Sequence, residues 1–518
     1  MKLTKGQYLL IITGLLAIYY LVCGIYLNRL GYNNAESLFY VEKARVIFEG
    51  IAGFKLKVIG LTSPLLPFYA TFAFSSFDSL LAPVITSALG TAMLFFLIAN
   101  TLVKRTTDDF YLVIVLVLFL FHPGILYAAC SGKGIYMSLI FFYMFFMNIF
   151  KYYESNTTFH VSIASISLVL LIFCDYKFIW LTLFFIPLVF SIAVHSLNLG
   201  EKESIFRISL SFNNPSLRRK LINKTFAIYI ILFVLPLASM TCYKLLNLTN
   251  ANDLEYFHES PYATWSVLAE RLNYEMMILN PDFKAPDISL LISAKVLIVC
   301  PLMLLAIYLF RNANYQILTL LTPFALIEFL HIKYEKVPLA FEYYMIFIVL
   351  SLLCVFIKVK TIKNPLGLKI ALGVITAVQL CSGVYYMKNS PVAEERNFFT
   401  MLTNRDVDEQ QDEAKDMANY INGLPDDAKI LIDDAIAYPI VAFTNNVKNL
   451  TLPYQENFIG AIETPWNYDN YILIANGKNP INAYSILNPR YGPILNQANN
   501  SNIQKVYETE HWALYRLL

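Results

Sequence analysis

Uncharged apolar runs of the length that crosses a bilayer recur along this sequence of 518 residues. The first run, GQYLLIITGLLAIYYLVCGIYL at 6–27, contains no charged residue. A helix needs roughly 20 apolar residues to cross a hydrocarbon core of about 30 Å. Charged residues make up 15% of the chain, against about 25% in soluble domains. These features predict a polytopic α-helical membrane protein whose first run is a retained span rather than a cleaved signal peptide.

The apolar runs predict about eleven membrane-spanning helices. They lie at roughly 7–27, 80–103, 110–129, 135–151, 160–175, 177–197, 225–246, 288–310, 315–332, 341–357 and 367–387. The apolar stretch at 62–79 is interrupted by Pro64 and Pro67, which predicts an interfacial or re-entrant segment instead of a span.

The distribution of basic residues predicts how these spans are oriented. The pairs and triplets KR at 104–105, RRK at 218–220 and KVKTIK at 358–363 fall in loops that share one side of the membrane. Lys and Arg concentrate in cytoplasmic loops, so the amino terminus is predicted to be cytoplasmic. An odd number of spans then places the carboxyl terminus outside the cytoplasm.

The composition changes after the last run, which predicts two domains. Residues 1–387 form the membrane module, with long outer loops at 28–79 and 247–287. Residues 388–518 are more charged, and apolar side chains recur at helical spacing around 417–424. The segments KILID, NYILIA and WALYRLL are typical of short strands. This part is therefore predicted to be a soluble extracytoplasmic α/β domain.

Charge and motif content exclude several functions. The net charge of +2 gives no electrostatic basis for binding nucleic acid. The seven cysteines are singly spaced in apolar runs, without CxxC, and no HExxH occurs, so neither a disulfide framework nor a zinc site is indicated. The chain has no glycine-rich phosphate loop, which argues against a nucleotide substrate.

The stretch GYNNAESLFYVEKARVIFEG at 31–50 follows the first span directly. It resembles the first outer loop of GT-C-type glycosyltransferases, the membrane class that includes the protein O-mannosyltransferases and the lipid A aminoarabinose transferase. That loop commonly reads D-E-x-x-Y-x-x-x-A-R, and Tyr40, Ala44 and Arg45 fit the pattern. Glu36 then stands at the position of the family's Asp, and Ser37 at that of its Glu, so the usual acidic pair is not preserved. The predicted outline of spans, long first outer loop and terminal soluble domain is also similar.

The resemblance implies transfer of a sugar from a polyprenyl-phosphate donor to a glycan, lipid or protein acceptor. The predicted location is the outer face of a bacterial cytoplasmic membrane. Glu36 is the predicted catalytic base, which would take the proton of the acceptor hydroxyl. Cations near the bilayer surface would stabilise the leaving lipid phosphate. The sequence establishes no cofactor, and a divalent cation stays open. Glu42 is either a second acid, a ligand of that cation or an exposed helix-face carboxylate.

Other ionisable residues at the predicted outer ends of spans are candidates for binding substrate. They are Glu42, Arg45, Lys133, Lys295, Glu328, Lys333 and Lys336. The alternative for Lys133, in CSGKG, is an ordinary tight turn, and for Lys333 and Lys336 it is anchoring at the membrane interface. Asp175 and Lys177, in CDYKF, are interpreted as the ends of two spans.

Lys295 and Glu328 lie inside predicted spans, where ionisable groups are costly and are usually paired or functional. Counted from the turn between their two spans, they lie at similar depths, roughly 24 and 20 Å away. They are therefore predicted to face each other or the cleft.

The predicted C-terminal domain carries two further sets of candidates. Tyr438, Tyr454, Trp466 and Tyr468 suggest a platform for sugars, with ordinary packing as the alternative. Asp433 and Asp434 follow a predicted strand, where either a metal site or a helix cap is compatible with the sequence.

Two other functions remain open from the sequence. The chain is also compatible with a non-catalytic subunit of an envelope complex that keeps the GT-C fold, because the acidic pair is altered at Ser37. The other alternative is a transporter or flippase of lipid-linked sugars, which a binding pocket reaching the inner face would favour.

Overall fold

A computed structural model describes residues 4–50, 55–59, 61–62, 64–197, 214–263, 290–334, 337–361, 365–407, 409, 411–495 and 503–518. These residues form a bundle of long apolar helices and a small C-terminal α/β domain. The chain is thus a multi-pass helical membrane protein with a C-terminal domain, which confirms the predicted fold class.

Thirteen of the α-helices that the structure describes lie before Cys300. They are α1 Lys5–Arg29, α2 Ala35–Phe48, α3 Leu56–Ile59, α4 Leu65–Ser75, α5 Ala82–Arg105, α6 Asp109–Phe121, α7 Pro123–Cys130, α8 Ile135–Ser155, α9 Thr158–Cys174, α10 Leu181–Ser196, α11 Pro215–Ala251, α12 Tyr256–Glu259 and α13 Leu290–Val299. The remaining helices are α14 Leu302–Phe310, α15 Asn314–Tyr334, α16 Phe341–Lys358, α17 Pro365–Lys388, α18 Ala393–Asn404, α19 Asp412–Asn422, α20 Asp434–Phe443, α21 Phe458–Glu463 and α22 Leu487–Leu495.

Within the described part of the chain, eight single helices are long and apolar enough to cross a membrane, and two bent pairs raise the number to as many as ten. The prediction of about eleven spans exceeds this number by one. The extra predicted span, 160–175, corresponds to α9, which with 17 residues is too short to be counted among the candidate spans. Helix α4 covers 11 residues of the predicted re-entrant segment. At 1.5 Å per residue it is about 17 Å long, too short to cross the bilayer.

Two predicted spans are broken at a proline. Helices α6 and α7 meet at His122–Pro123 with a bend of 64°, and α13 and α14 meet at Cys300–Pro301 with a bend of 104°. Proline lacks the N–H for the helical hydrogen bond, and the residue before it is forced toward extended geometry. His122 has that geometry, with φ −74° and ψ 118°. The runs at 110–129 and 288–310 are therefore not single straight helices.

Helix α16 lies at the centre of the bundle. From Phe341 to Ile357 every side chain except Glu342 is buried, and no charge lies between Glu342 and Lys358. An apolar helix that is buried all round is a core element rather than a lipid-facing one.

The C-terminal domain has a five-stranded sheet of order β2-β1-β3-β5-β4. The strands are β1 Ile430–Leu431, β2 Leu450–Thr451, β3 Tyr471–Ala475, β4 Ile503–Glu508 and β5 Trp512–Leu517. Strands β2, β1 and β3 are parallel, and β5 pairs antiparallel with β3 and β4. The three predicted strands are present, and β2 and β4 are additional ones.

The predicted first outer loop, 28–79, and the C-terminal domain share one hydrophobic core. Tyr40, Val46 and Phe68 pack in the same buried cluster as Ile436 and Leu473 of the C-terminal domain. Helix α18, although it follows residue 388, packs in the core of the membrane module. The loop and the C-terminal domain therefore lie at the same end of the helical bundle.

Candidate active site

A cavity of about 130 Å³ opens where α2 meets the ends of several membrane helices. Its walls come from chain segments that the sequence separates by more than 300 residues. The polar lining residues are Asn34, Glu36, Lys133, Ser138, Asp175, Lys177, Glu342, Tyr343 and Glu394. All lie at the end of the bundle where the C-terminal domain packs.

Glu36 is held in this cavity by the first turn of α2. The helix begins after Asn34, whose side chain accepts a hydrogen bond from the Glu36 N–H and so fixes the start of the helix. The Tyr40 hydroxyl donates to Glu36 Oε1, and the Gly134 N–H lies 3.4 Å from the same oxygen. The Glu36 side chain is 14% exposed. Burial raises the pKa of Glu36, and nearby Lys133 and Tyr40 oppose that shift.

Lys133 lies between two carboxylates. Its Nζ is 2.5 Å from Glu342 Oε2 and 3.9 Å from Glu36 Oε2. Burial by itself would lower the pKa of Lys133, but Glu342 and Glu36 outweigh it, so the pKa is raised and the ammonium stays charged. Lys133 is reached by the tight turn 131–134, in which Gly132 has a φ of +78°. An added Cβ at Gly134 would come within 2.7 Å of Pro67, so this close approach requires glycine.

A second ion pair lines the opposite wall. Lys177 Nζ is 2.9 Å from Asp175 Oδ1, and the Tyr343 hydroxyl donates to Asp175 Oδ2 at 3.0 Å. Asp175 also accepts from the Lys177 N–H, which starts the short turn 176–180. The Lys177 side chain is 10% exposed and lies 5.2 Å from the centre of the Tyr176 ring. The pair therefore does more than end two spans, because it places a cation in the cavity.

Glu394 closes the cavity from the start of α18. Its carboxylate accepts from Asn34 Nδ2 at 2.6 Å and from the Ala35 N–H at 3.0 Å. A carboxylate at a helix amino terminus is favourable because it meets unpaired N–H groups and the positive end of the helix dipole. Glu394 thus fixes the first turn of α2, and with it the position of Glu36.

The rest of the cavity is apolar. The apolar wall is formed by Ile135, Leu139, Phe178, Val337, Ile346 and Val392. A cavity that combines charged groups with an apolar lining suits a ligand with a polar head and an apolar chain.

Of the candidate site residues that fall within the described part of the chain, Glu36 and Lys133 line this cavity and the others do not. Glu42 is fully buried against Lys43, at 3.0 Å, so it is not an exposed helix-face carboxylate. Arg45 donates to Ser79 Oγ at 3.0 Å and to the Thr444 carbonyl at 2.7 Å, and so holds the loop to the C-terminal domain. Lys333 is exposed, with its Nζ 3.9 Å from the centre of the Trp180 ring.

The expectation that Lys295 and Glu328 face each other is wrong. Glu328 Oε1 accepts from the Ser293 N–H and hydroxyl, at 2.9 and 2.6 Å. Lys295 lies 5.0 Å from the centre of the Tyr386 ring, and neither residue lines the cavity. The error lies in the direction around the helix rather than in the depth, because Ser293 is only two residues from Lys295 but points about 200° away from it around α13. Lys336 falls outside the described residues.

The C-terminal candidates are dispersed. Asp433 caps α20 by accepting from the Ala435 N–H at 3.2 Å, as a helix cap requires. Tyr438 is buried against Phe39, with ring centres 4.3 Å apart, whereas Trp466 is 65% exposed. Across the residues that the structure describes, no group of three or more His, Cys, Asp or Glu side chains is arranged to hold a metal ion.

Sequence reasoning missed Asp175, Lys177, Glu342, Tyr343 and Glu394. The first four lie at predicted outer ends of spans, as Lys133 does, and Glu394 follows the last predicted span by seven residues. The signal that could have found them is positional: polar residues that follow the outer ends of adjacent helices meet at one level of the bundle.

No protein-family model and no curated protein matches this sequence. Among solved structures, the chain is similar to the crystal structure of ArnT from Cupriavidus metallidurans bound to undecaprenyl phosphate. The similarity covers 99% of this chain and 98% of that chain, with 10% sequence identity and a TM-score of 0.49. At this identity the likeness is one of fold alone.

Proposed function

We propose that this protein transfers a sugar from a polyprenyl-phosphate carrier to an acceptor hydroxyl at the membrane surface. The observation that carries the proposal is the position of Glu36, a buried carboxylate in a cavity with two lysines and an aliphatic wall. The acceptor oxygen attacks the anomeric carbon and the bond from that carbon to the carrier phosphate breaks. The acceptor proton goes to Glu36, and the lipid phosphate leaves as an anion.

The surroundings of Glu36 suit a general base. A base works best when its pKa is close to the working pH, and burial raises the pKa of Glu36 from that of an ordinary carboxyl group. The hydrogen bond from Tyr40 keeps one carboxylate oxygen in place. The other oxygen, 3.9 Å from Lys133, is left to receive the acceptor proton.

Lys133 and Lys177 are the groups proposed to meet the carrier phosphate. Both line the cavity beside its aliphatic wall. Positive charge placed where the leaving phosphate develops its own charge stabilises the transition state. Because each lysine is already paired with a carboxylate, the site has few free positive charges and is expected to bind one phosphate rather than a diphosphate or a polyanion.

The apolar central helix α16 argues against a function as a transporter or flippase. A flippase needs a polar path for the sugar through the membrane. The polar residues of the cavity lie at one end of the bundle, and the buried core helix α16 carries no charge from Tyr343 to Ile357. The remaining alternative is a non-catalytic subunit with the same fold, and the experiment must distinguish it from a transferase.

Glu36→Gln tests the proposal in a strain that lacks the chromosomal copy of the gene. Envelope glycans are compared by mass spectrometry with those of strains carrying the wild-type chain or Glu49→Gln, a control on the same helical segment but outside the cavity. Glu36→Gln is expected to lose the glycan product at normal protein level, and Glu49→Gln to keep it. Full product with Glu36→Gln would leave only the subunit role.

A direct measurement complements the strain experiment. Binding of undecaprenyl phosphate to the purified chain is followed by native mass spectrometry. Lys177→Met and Lys133→Met are expected to weaken binding about tenfold each, the loss for one charge-assisted contact. Glu36→Gln should leave the affinity within about twofold, because the base acts on the acceptor and not on the carrier.

A further inference from the structure

We propose that the junction between the first outer loop and the C-terminal domain holds a sugar unit of the acceptor, in a subsite separate from the cavity at Glu36. This inference rests on the proposed function for the role of that sugar, but the binding itself can be tested alone. The subsite, called the junction subsite below, is lined by Lys43, Val58, Thr62, Tyr256, Tyr262, Asp434, Pro453 and Tyr454.

The first argument is an unpartnered polar group. The buried Tyr454 hydroxyl has no hydrogen-bond partner within the described structure. Asp434 is 2% exposed and lines the same space, where it is held by Lys43 through Oδ2 at 2.8 Å and by the buried Glu42 carboxyl group. A hydroxyl group bound in this space would satisfy Tyr454.

The second argument is the position of these residues in the sheet. Strands β1 and β2 are adjacent and parallel, so their carboxyl ends lie next to each other at one edge of the sheet. In open α/β sheets, ligands bind outside the carboxyl ends of the strands. Asp434 follows the end of β1 by three residues, and Tyr454 follows the end of β2 by three.

The third argument concerns the class of ligand. The Lys43 ammonium, the one cation among the residues that line the junction subsite, is already held by Glu42 at 3.0 Å and Asp434 at 2.8 Å, so the subsite offers no unpaired positive charge to an anionic ligand. Tyrosine rings offer apolar faces to the ring of a sugar and hydroxyls to its edge. The free space is about 20 Å³, enough for one hydroxyl-sized group. A sugar without negative charge is therefore expected to insert one hydroxyl here, with its ring against the tyrosines.

The fourth argument is the path to the cavity. Lys43 and Glu36 are seven residues apart on α2, so they share a face of the helix at a separation of about 10 Å along its axis. The chain around residues 62–64 passes both sites, with Thr62 at the junction subsite and Pro64 at the cavity. An acceptor held at the junction subsite would thus present a second hydroxyl to Glu36 only if it contains more than one sugar unit.

The test uses the full chain in lipid nanodiscs. Glucose, galactose, mannose, glucosamine and glucuronate are each titrated, and binding is measured by saturation-transfer difference NMR. At least one of the first four is expected to bind, and glucuronate is not. Tyr454→Phe should weaken that binding at least fivefold. Its melting temperature without sugar should equal or exceed that of wild type, because the lost hydroxyl has no partner in the described structure. Tyr468→Phe, at a tyrosine that does not line the junction subsite, is the matched control.

The outcomes separate the two proposals. No binding by any of the four sugars, or equal binding by wild type and Tyr454→Phe, overturns the junction subsite. Asp434→Asn is measured alongside, and unchanged affinity in both variants would count equally against it. If Glu36→Gln keeps the glycan product while Tyr454→Phe still loses sugar affinity, the transferase function fails and the subsite stands.

Discussion

Burial raises the pKa of Glu36, Lys133 lowers it, and two further contacts adjust it in opposite directions. The hydrogen bond from Tyr40 favours the ionised carboxylate, whereas the negative charge of Glu342 disfavours it. Tyr40 lies one helical turn from Glu36, and Glu342 pairs with the neighbouring Lys133. Substitution of either residue can therefore shift the pKa of Glu36 without removing its carboxylate.

Tyr40→Phe removes the hydrogen bond to Glu36 Oε1. A hydrogen bond to a charged group contributes about 1.5–3 kcal/mol, which corresponds to about one to two pKa units. Because the lost bond stabilised the ionised form, the pKa of Glu36 rises further. The acidic limb of the pH profile of sugar transfer should therefore move to higher pH. Tyr69→Phe is the control, and an unmoved limb in Tyr40→Phe would show that another group is the base.

Glu342→Gln should move the same limb in the opposite direction. The negative charge of Glu342 raises the pKa of Glu36, and Glu342 also holds Lys133 at 2.5 Å. Its removal leaves Lys133 free to approach Glu36, so the ionised carboxylate is favoured and the limb moves to lower pH. A shift in the same direction as that of Tyr40→Phe would contradict this account of the site.

At the residue level, the sequence allowed a site residue to be predicted where its type is unusual for its position in the chain. Glu36 follows the first span within ten residues and Lys133 lies in a glycine-flanked turn, so both could be singled out. Asp175 and Glu342 could not, because a charged residue at a span end is ordinary. Their role depends on which helix ends meet, and that is a property of packing.

At the level of elements, the two broken spans meet at one side chain. Gln379 of α17 donates to the Val299 carbonyl at 3.0 Å and lies 3.2 Å from His122 Nε2. Each break frees backbone groups that have no water to bind in the membrane. Gln379 thus satisfies a polar group at one break and contacts the other.

Gln379→Leu should lower the melting temperature of the chain in nanodiscs. The substitution removes the contact to His122 and leaves the Val299 carbonyl with the Ser382 hydroxyl alone. The expected loss is about 1–3 kcal/mol. Thr376→Val, one turn earlier, is the matched control, because the Thr376 hydroxyl is buried without a partner and its removal should cost nothing. Equal melting temperatures of the two variants would show that Gln379 does not stabilise the two helix breaks.

The course of these elements was only partly predictable. Hydropathy detects an apolar run whether the helix is straight or bent. The predicted spans at 110–129 and 288–310 are therefore correctly located, but they were expected to be straight and are bent. Pro123 and Pro301 were visible in the sequence. Pro236 lies within the continuous helix α11, whereas Pro123 accompanies a bend of 64°. The difference depends on the neighbouring groups that bind the carbonyl freed by each proline.

Across the whole molecule, buried carboxylates link stability to pH. Burial raises the pKa of Asp469 to about 6, of Glu395 to about 7 and of Glu42 to about 8. A carboxyl group with a raised pKa in the folded state binds its proton more tightly there than in the unfolded chain. Stability is therefore lost as pH rises from the ordinary value near 4 through the folded-state pKa.

Asp469→Asn should make the melting temperature less dependent on pH between about 4 and 6. The shift of Asp469 from 3.8 to about 6 corresponds to about 3 kcal/mol that the wild type loses over this range. Asparagine keeps the hydrogen bond from Thr451 and does not titrate. Scanning fluorimetry across pH measures the slope. Asp427→Asn, at an exposed site, is the control, and an equal slope in wild type and Asp469→Asn would refute the assignment.

The outline of the whole molecule was the most predictable level, since span length and charge content follow from the bilayer alone. The packing of the C-terminal domain was not predictable. Nothing in the residues at 31–50 indicates that Lys43 would pair with Asp434, or that Arg45 would bind the Thr444 carbonyl. Such contacts depend on two surfaces separated by nearly 400 residues of chain.

The dependence of α2 on Glu394, Asp434 and Thr444 has a consequence for synthesis of the protein. During translation, α1 and α2 leave the ribosome long before these partners exist, and every span is inserted before the last of them is made. A messenger cut short after the final span would yield a chain that inserts into the bilayer but leaves Glu36 on an unsupported helix. Quality control that monitors insertion alone would pass such a product.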